Sequence, residues 1–345
     1  MGNDPVRFGI LSFAHYHANF WAQSLREMTE AVLVGVWDED PQRGLEAAGR
    51  YGTRYYRDLK TLFRECDAVG ITSETVKHAD LVEEATKAGM HILCEKPMAT
   101  TLEDCNRIVR AVRKAGVVYM QNFPKRYDPV NHELVTMVHR GELGKIVMAR
   151  IRHGHSHGLD STFAKQWFVD PALSGGGTLI DEGIHAADFL LWLLGEPQEV
   201  RATISDRVLR LPVEDTSLAV FSYPSGTLAE VCTSWSFVAS EQSVEVYGTK
   251  GSALLAGVDL ASRDFSTTPY LKVFHRTGEL GKWKGSETIP YFKQGNFHQQ
   301  GPKRFIEWLR TGAEPITGAE EARLSVAMIL TAYRAAATGQ AQRIR

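Results

Sequence analysis

Three residues carry side chains suited to moving a hydride and a proton: Lys96, Asp181 and His185. Lys96 lies in Cys94-Glu95-Lys96-Pro97. An ammonium group placed there can hold a hydroxyl and stabilise negative charge developing on its oxygen. A lysine in a loop is equally an ordinary solvated group. Asp181 and His185 follow the triplet Gly175-Gly176-Gly177 and stand four residues apart. In a helix that spacing puts them on one face, which Asp188 would extend, apart from an apolar stripe of Ile184, Ala187, Leu191 and Leu194. Histidine titrates near neutrality and is the natural base for a hydroxyl proton, with a carboxylate beside it to orient it. The same pattern also suits an exposed polar helix face. The glycines would let a backbone turn sharply or come close to a ligand.

A second cluster is His153, His155 and His157. In a strand, alternating residues point to one side. Three imidazoles so placed can bind a metal, line a polar pocket or form a solvated face. Asp160 is the nearest carboxylate, and no metal is assigned. Arg126, Tyr127, Trp167 and Phe168 are further candidates, with His155 and His157, to shape a substrate pocket.

These groups need a scaffold, and the first third of the chain describes one. Strand-like runs at Val6–Ser12, Ala31–Asp38, Asp67–Thr72, Met90–Glu95 and Val117–Asn122 alternate with helical stretches at Tyr16–Met28, Pro41–Tyr51, Lys77–Ala88 and Leu102–Ala115. Short apolar runs alternating with amphipathic helices predict βαβ units and a parallel sheet. Such sheets bind ligands outside the carboxyl ends of their strands. Ser12, Asp38, Thr72, Glu95 and Asn122 would therefore surround one crevice. The first turn, Ser12-Phe13-Ala14-His15-Tyr16-His17, stands where a dinucleotide-binding turn carries G-x-G-x-x-G, with Ser, Ala and His at the three glycine positions. Asp38, at the end of the second strand, can bond ribose hydroxyls and repel a 2′-phosphate, or can cap the helix that begins at Pro41. The first role favours NAD, and Arg43 nearby leaves NADP open.

Beyond about residue 123 the pattern changes. A helix at Pro129–Arg140 precedes a strand at Lys145–Arg152. Strand-like runs at Glu199–Asp206, Thr216–Tyr223, Thr227–Ser236 and Ser243–Tyr247 then follow without intervening helices. Pro224-Ser225-Gly226 fits a hairpin turn. Helices at Gly301–Thr311 and Ala319–Ala337 close the sequence. The expected fold is an α/β dinucleotide-binding domain over 1–122 and an α+β domain over 123–345 with a large, open, mainly antiparallel sheet.

Composition agrees with a globular chain: 345 residues, 43% hydrophobic and 23% charged. With 39 basic and 41 acidic residues the formal net charge is −2, which gives no electrostatic case for nucleic acid or an anionic membrane. No apolar run approaches the ~20 residues that span a bilayer. Met1-Gly2-Asn3-Asp4-Pro5 leads directly into a strand-like run with no signal-peptide pattern. Cys66, Cys94, Cys105 and Cys232 form no CxxC pair, so a reduced, cytoplasmic protein is expected.

Taken in order, these motifs resemble the Gfo/Idh/MocA family of oxidoreductases over nearly the whole chain. The resemblance is carried by Ala88–Pro97, by Gly175–Asp188, by Arg126-Tyr127-Asp128-Pro129, by Glu214-Asp215-Thr216 and by Val246–Gly251. It implies a Rossmann domain with an open-faced sheet domain, acting on a sugar, sugar acid or inositol with NAD(P), and a homodimer or homotetramer. By position Lys96, Asp181 and His185 correspond to the family's catalytic residues. Ser12, Phe13, Ala14, His15, Asp38, Thr72, Ser73, Glu74, His78, Glu95, Lys96 and Asn122 correspond to its cofactor contacts. Two segments depart from the family pattern: the turn without glycines, and Thr72-Ser73-Glu74-Thr75, where Thr-Pro-Asn is more usual. They leave open a redox-neutral glycoside-cleaving enzyme that retains NAD, or a sugar- or nucleotide-binding sensor.

Overall fold

The computed structural model describes residues 4–262, 270–276, 281–286, 296–312 and 317–344. In chain order the elements are β1 (Val6–Leu11), α1 (His17–Glu27), β2 (Ala31–Trp37), α2 (Pro41–Tyr51), β3 (Arg54–Tyr55), α3 (Leu59–Glu65), β4 (Ala68–Ile71), α4 (His78–Lys87), β5 (His91–Glu95), α5 (Leu102–Ala115) and β6 (Tyr119–Asn122). After these come α6 (Pro129–His139), β7 (Ile146–Gly154), α7 (Pro171–Ser174), α8 (Thr178–Asp181), α9 (Gly183–Leu194), β8 (Glu199–Ser205), β9 (Thr216–Ser222), β10 (Leu228–Ser234), β11 (Val244–Gly248), β12 (Gly251–Leu255), β13 (Leu271–His275), β14 (Trp283–Ser286), α10 (Gln300–Thr311), α11 (Ala319–Thr338) and β15 (Gln342–Arg343). They form two compact units, one of residues 1–124 and 298–324, the other of residues 125–297 and 325–345.

In the first unit six parallel strands run in the order β3-β2-β1-β4-β5-β6, the strand order of a doubly wound dinucleotide-binding sheet. Local chemistry sets the helix ends. Asp40 caps α2 by accepting from the amides of Gln42 and Arg43, Pro41 occupies the first turn, and Gly52 ends the helix at φ 61°. The cap is thus Asp40 and not Asp38, which removes one of the two roles open to Asp38. Phe305 of α10 packs edge-on against Phe8 of β1, with ring centroids 6.0 Å apart, so residues near 300 complete the core of the first unit although the sequence pattern grouped them with the second. Strand β3 and helix α3 were not foreseen; at 2 and 7 residues they are too short to show a period.

In the second unit nine strands run β14-β13-β12-β11-β7-β10-β9-β8-β15. Only the β7–β10 pair is parallel. One face is lined by Ala149, Ile151, Phe221, Ala229, Val231, Val244 and Val246, all buried. The other carries Leu218, Val220, Leu228 and Tyr247, all exposed, with Arg150 between Glu230 and Glu245. Turn Tyr223–Gly226 joins β9 to β10 with Gly226 at φ 85°, as its composition predicted. No helix among the described residues is long and apolar enough to cross a membrane.

The expected helix through Asp181 and His185 is broken. Asp181 ends α8, Glu182 stands at the junction, and His185 lies in the first turn of α9. The cause lies in the glycine triplet. The Glu214 carboxylate accepts from the amides of Gly177 and Leu179 and from the Tyr333 hydroxyl, and the Glu214 carbonyl accepts from Thr178. A β-carbon on Gly177 would lie 2.0 Å from the Glu214 carbonyl oxygen, and one on Gly176 2.3 Å from the Tyr333 hydroxyl. The glycines therefore serve a buried carboxylate of the protein itself. Gly177→Ala should cost about 1–3 kcal/mol or more, as expected for a steric insertion into a packed site; urea unfolding would show it as a lowered midpoint, and an unchanged midpoint would refute this role.

Candidate active site

In the first unit the carboxyl ends of β1, β2, β4, β5 and β6 bring together the residues expected to hold a cofactor. The β1–α1 turn makes its bend without glycine: Ser12 takes φ 74°, the left-handed region that glycine usually fills. Several main-chain amides of the turn find internal partners. Phe13 N–H donates to Asp38 (2.7 Å), Ala14 N–H to the Ser12 hydroxyl (3.1 Å), His15 N–H to the Thr72 carbonyl (2.9 Å) and His17 N–H to His15 Nδ1 (3.1 Å). Thr72 donates its hydroxyl to the Ser12 carbonyl at 2.6 Å. Phe13 stacks on Tyr51 with centroids 5.8 Å apart.

Asp38 is buried and fully engaged. Its oxygens accept from Arg43 Nε (2.8 Å) and Nη2 (2.7 Å), from the amides of Phe13 and Asp40, and at 3.3 Å from the Ser12 hydroxyl. A carboxylate offers about four lone-pair sites, so a ribose hydroxyl must share or displace one of these donors. Arg43 also lies 3.6 Å from Glu74, which pairs with Lys77 at 3.1 Å. Ser73 donates to the Glu74 carbonyl at 3.2 Å. His78 sets its two ring nitrogens against the carbonyls of Pro97 (2.9 Å) and Ser73 (3.3 Å), tying the loop after β4 to the loop that follows Lys96. Burial lowers its pKa from 6.5.

At the end of β5, Glu95 and Lys96 are both buried. Glu95 accepts from the Asn122 side-chain amide (2.8 Å) and the Lys96 amide (3.1 Å), and lies 3.0 Å from His17 Nδ1. Burial raises the Glu95 pKa. His15 stands beside His17, ring centroids 4.1 Å apart, and burial, reinforced by His17, holds its pKa well below 6.5. His298 covers His17 at 3.8 Å. The sequence places His17 at the third glycine position of the turn, whereas His298 carries no recognisable signal in it. The set fits a nicotinamide dinucleotide in its strand order, its left-handed turn and its acidic residue at the β2 end, with fewer main-chain amides turned outward than a glycine-rich turn provides.

In the second unit the candidate residues gather where β7 ends and α8 gives way to α9. Strand β7 stops at Gly154, so His153 lies in the strand while His155 and His157 lie past it, not on one strand face as expected. Glu182, which no sequence pattern singled out, stands between His153 Nε2 (3.1 Å) and His155 Nε2 (3.3 Å). Donor atoms of His155, Asp181 and Glu182 lie within 4.8 Å of one another, as do those of His15, His17 and Glu95 in the first unit. Asp181 accepts from the Trp235 indole at 3.0 Å. His185 is buried, its ring 5.1 Å from that of His153. Trp167 stacks on Phe168 at 4.1 Å and rests on a cluster containing Phe163, Val169, Val213 and Trp235.

Two expectations change here. Asp188 does not extend a face shared with Asp181 and His185; it is buried and bound by Arg126 through Nε (2.9 Å) and Nη2 (2.8 Å). The Arg126 guanidinium, over the Trp192 ring at 5.5 Å, is thereby committed to an internal ion pair. Tyr127 beside it is buried.

Strand order, turn and the strand-end lysine define a nicotinamide-type oxidoreductase scaffold, and the comparisons agree. Residues 7–123 match the family described as oxidoreductase family, NAD-binding Rossmann fold, and residues 132–254 match its GFO/IDH/MocA C-terminal domain. The chain belongs to the Gfo/Idh/MocA oxidoreductases. It is 28% identical to 1,5-anhydro-D-fructose reductase of Ensifer adhaerens, covering 98% of both chains. It is 26% identical to myo-inositol 2-dehydrogenase of Thermotoga maritima, covering 93% of both. Among solved structures, the aldose-aldose oxidoreductase of Caulobacter crescentus complexed with glycerol is 26% identical, with a TM-score of 0.80 over 98% of this chain and 99% of that one.

The engagement of Asp38 by Arg43 bears on cofactor choice. Arg43→Ala should release Asp38 for ribose and remove the cation paired with Asp38, which could meet a 2′-phosphate there. The ratio of kcat/KM for NAD over NADP should then rise by about tenfold, the scale of one charge-assisted contact. A ratio that stays constant or falls would show that Arg43 does not read the adenosine end.

Proposed function

We propose that the protein catalyses reversible, nicotinamide-dependent hydride transfer at a hydroxyl-bearing carbon of a sugar, sugar acid or inositol. The observation that carries this reading is the placement of Asp181, Glu182 and His185 at one helix break beside His153 and His155, in a chain whose other unit presents Lys96 at a strand end. The names of the two curated relatives, a sugar reductase and an inositol dehydrogenase, support the substrate class.

In the oxidative direction His185 takes the hydroxyl proton as the carbon gives up its hydride, and a carbonyl forms. Lys96 holds the substrate oxygen and stabilises its charge. Asp181, itself held by the Trp235 indole, fixes the substrate or the protonated His185. NAD, when bound, would supply the hydride acceptor. Ser12, Phe13, Ala14, His15, Asp38, Thr72, Ser73, Glu74, His78, Glu95, Lys96 and Asn122 would hold it. His155, His157, Trp167 and Tyr127 would face the substrate, and Arg126 would act through its pairing with Asp188. NAD is the preferred cofactor because Asp38 occupies the β2 end, with NADP admitted through Arg43.

The protein would act in the cytoplasm, consistent with four free cysteines, three of them buried. It would assemble as a homodimer or homotetramer, for which the open sheet face with Leu218, Val220 and Leu228 offers an apolar surface.

Turnover of sugars and cyclitols with NAD should raise the absorbance of reduced nicotinamide. Lys96→Ala should lower kcat about 100-fold or more, and His185→Asn should lower kcat/KM by about 100- to 10,000-fold. Wild-type turnover in either variant would overturn the assignment, and glycoside cleavage without net reduced nicotinamide would favour the redox-neutral alternative.

A further inference from the structure

The histidine pair at the end of β7 has its protons placed by main-chain amides. A backbone N–H can only donate. The Leu260 amide meets His153 Nδ1 at 3.2 Å, and the His157 amide meets His155 Nδ1 at 3.1 Å. Each Nδ1 therefore offers a lone pair, and the ring proton resides on Nε2. Both Nε2 atoms face Glu182, one at each oxygen, at 3.1 and 3.3 Å. A metal ion would require lone pairs at those same Nε2 atoms, whereas here Glu182 faces N–H groups, the His153 contact being an ion-pair distance outside hydrogen-bond geometry.

Glu182 is buried, and its burial is offset by the two imidazoles, which hold its pKa well below 4.5. It remains a carboxylate at neutral pH. Asp181 lies within 4.8 Å as a second carboxylate. Around His155 the charged and titratable groups are Glu182, Asp181 and Asp259 on the acidic side and His157 and His153 on the basic side, with Asp160 beyond His157. Asp259 is occupied by Lys125 at 3.0 Å, and Arg126 by Asp188. Both of these cations are thus paired internally, while Glu182 and Asp181 place two carboxylates beside His155.

We propose that Glu182 is the specificity-determining positioning residue of this wall: by standing between the imidazoles of His153 and His155 beside Asp181 it keeps the substrate side acidic, and so selects uncharged polyols over sugar carboxylates. This rests on the proposed function only in taking the wall as the substrate side. Burial opposes protonation of His155, while the charge and hydrogen bond of Glu182 raise its pKa above 6.5. Loss of the Glu182 charge must therefore lower it.

The test uses the full-length protein as wild type, Glu182→Gln and Glu182→Asp. Nitrogen-15 NMR of the histidine rings should find the proton on Nε2 of His153 and His155 in wild type. The His155 midpoint should fall in Glu182→Gln and recover in Glu182→Asp, a change that a merely packing role would not produce. Calorimetry with NAD added should find myo-inositol bound more tightly than D-glucuronate by wild type. In Glu182→Gln the ratio of the two affinities should move toward glucuronate by about tenfold, the scale of one nearby charge. Tighter binding of glucuronate by wild type, an unchanged ratio or an unchanged midpoint in Glu182→Gln, binding of neither probe, or a stoichiometric metal lost on mutation would each overturn the proposal. Absence of turnover would count against hydride transfer instead, since neither readout requires it.

Discussion

The second unit is organised around the buried carboxylate of Glu214, which must be saturated where it stands. Unpaired, such a group costs several kcal/mol. Its partners are the Gly177 and Leu179 amides and the Tyr333 hydroxyl. To supply two amides to one carboxylate, the chain must start a helix immediately after a turn with no side chains in the way. Hence the glycines and the four-residue α8. A helix so short does not run on into α9, and the residues at its end, Asp181 and Glu182, emerge at the break and not along a continuous helical stripe. The acidic wall of the candidate site is thus a consequence of how a carboxylate elsewhere is satisfied.

A comparable economy governs the β1–α1 turn of the first unit. Where glycines would leave amides open, this turn closes them on its own groups: Asp38, the Ser12 hydroxyl, the Thr72 carbonyl and His15. Ser12 accepts the strain of a positive φ, and its hydroxyl compensates by bonding Ala14 and Asp38. A serine there is chemically different from a glycine because it brings its own cap. The turn closes several of its amides on its own groups, so side chains such as Arg43 and Asp38 would contribute more to holding a dinucleotide than in a glycine-rich turn.

The parallel sheet and its helices were legible because their signal is local. Hydrophobic runs such as Ala68–Ile71 are buried at every position, and caps such as Asp40-Pro41 lie beside the helix they start. Lys96 was legible from its motif at a strand end. What escaped was set by distant partners. Glu214 is 37 residues from Gly177, and within residues 175–188 Gly183, where α9 begins, is the local hint of the break. Arg126 read as a pocket residue because its partner Asp188 is 62 positions away. Glu182 carried no pattern of its own; its meaning depends on two imidazoles whose tautomers are set by the amides of Leu260 and His157.

That last dependence changes what a histidine cluster means. Alternating histidines suggest ligands, but a ligand is a lone pair, and lone pairs are allotted by whatever the other ring nitrogen meets. A carbonyl there leaves Nε2 open to a metal; an amide there places a proton on it. In this protein both amides point the second way, so one carboxylate becomes the natural complement of two imidazoles. The arrangement places the Glu182 charge beside Asp181 and against two imidazoles. Such a wall suits substrates that offer hydroxyls and penalises those that add a further negative charge beside Glu182 and Asp181.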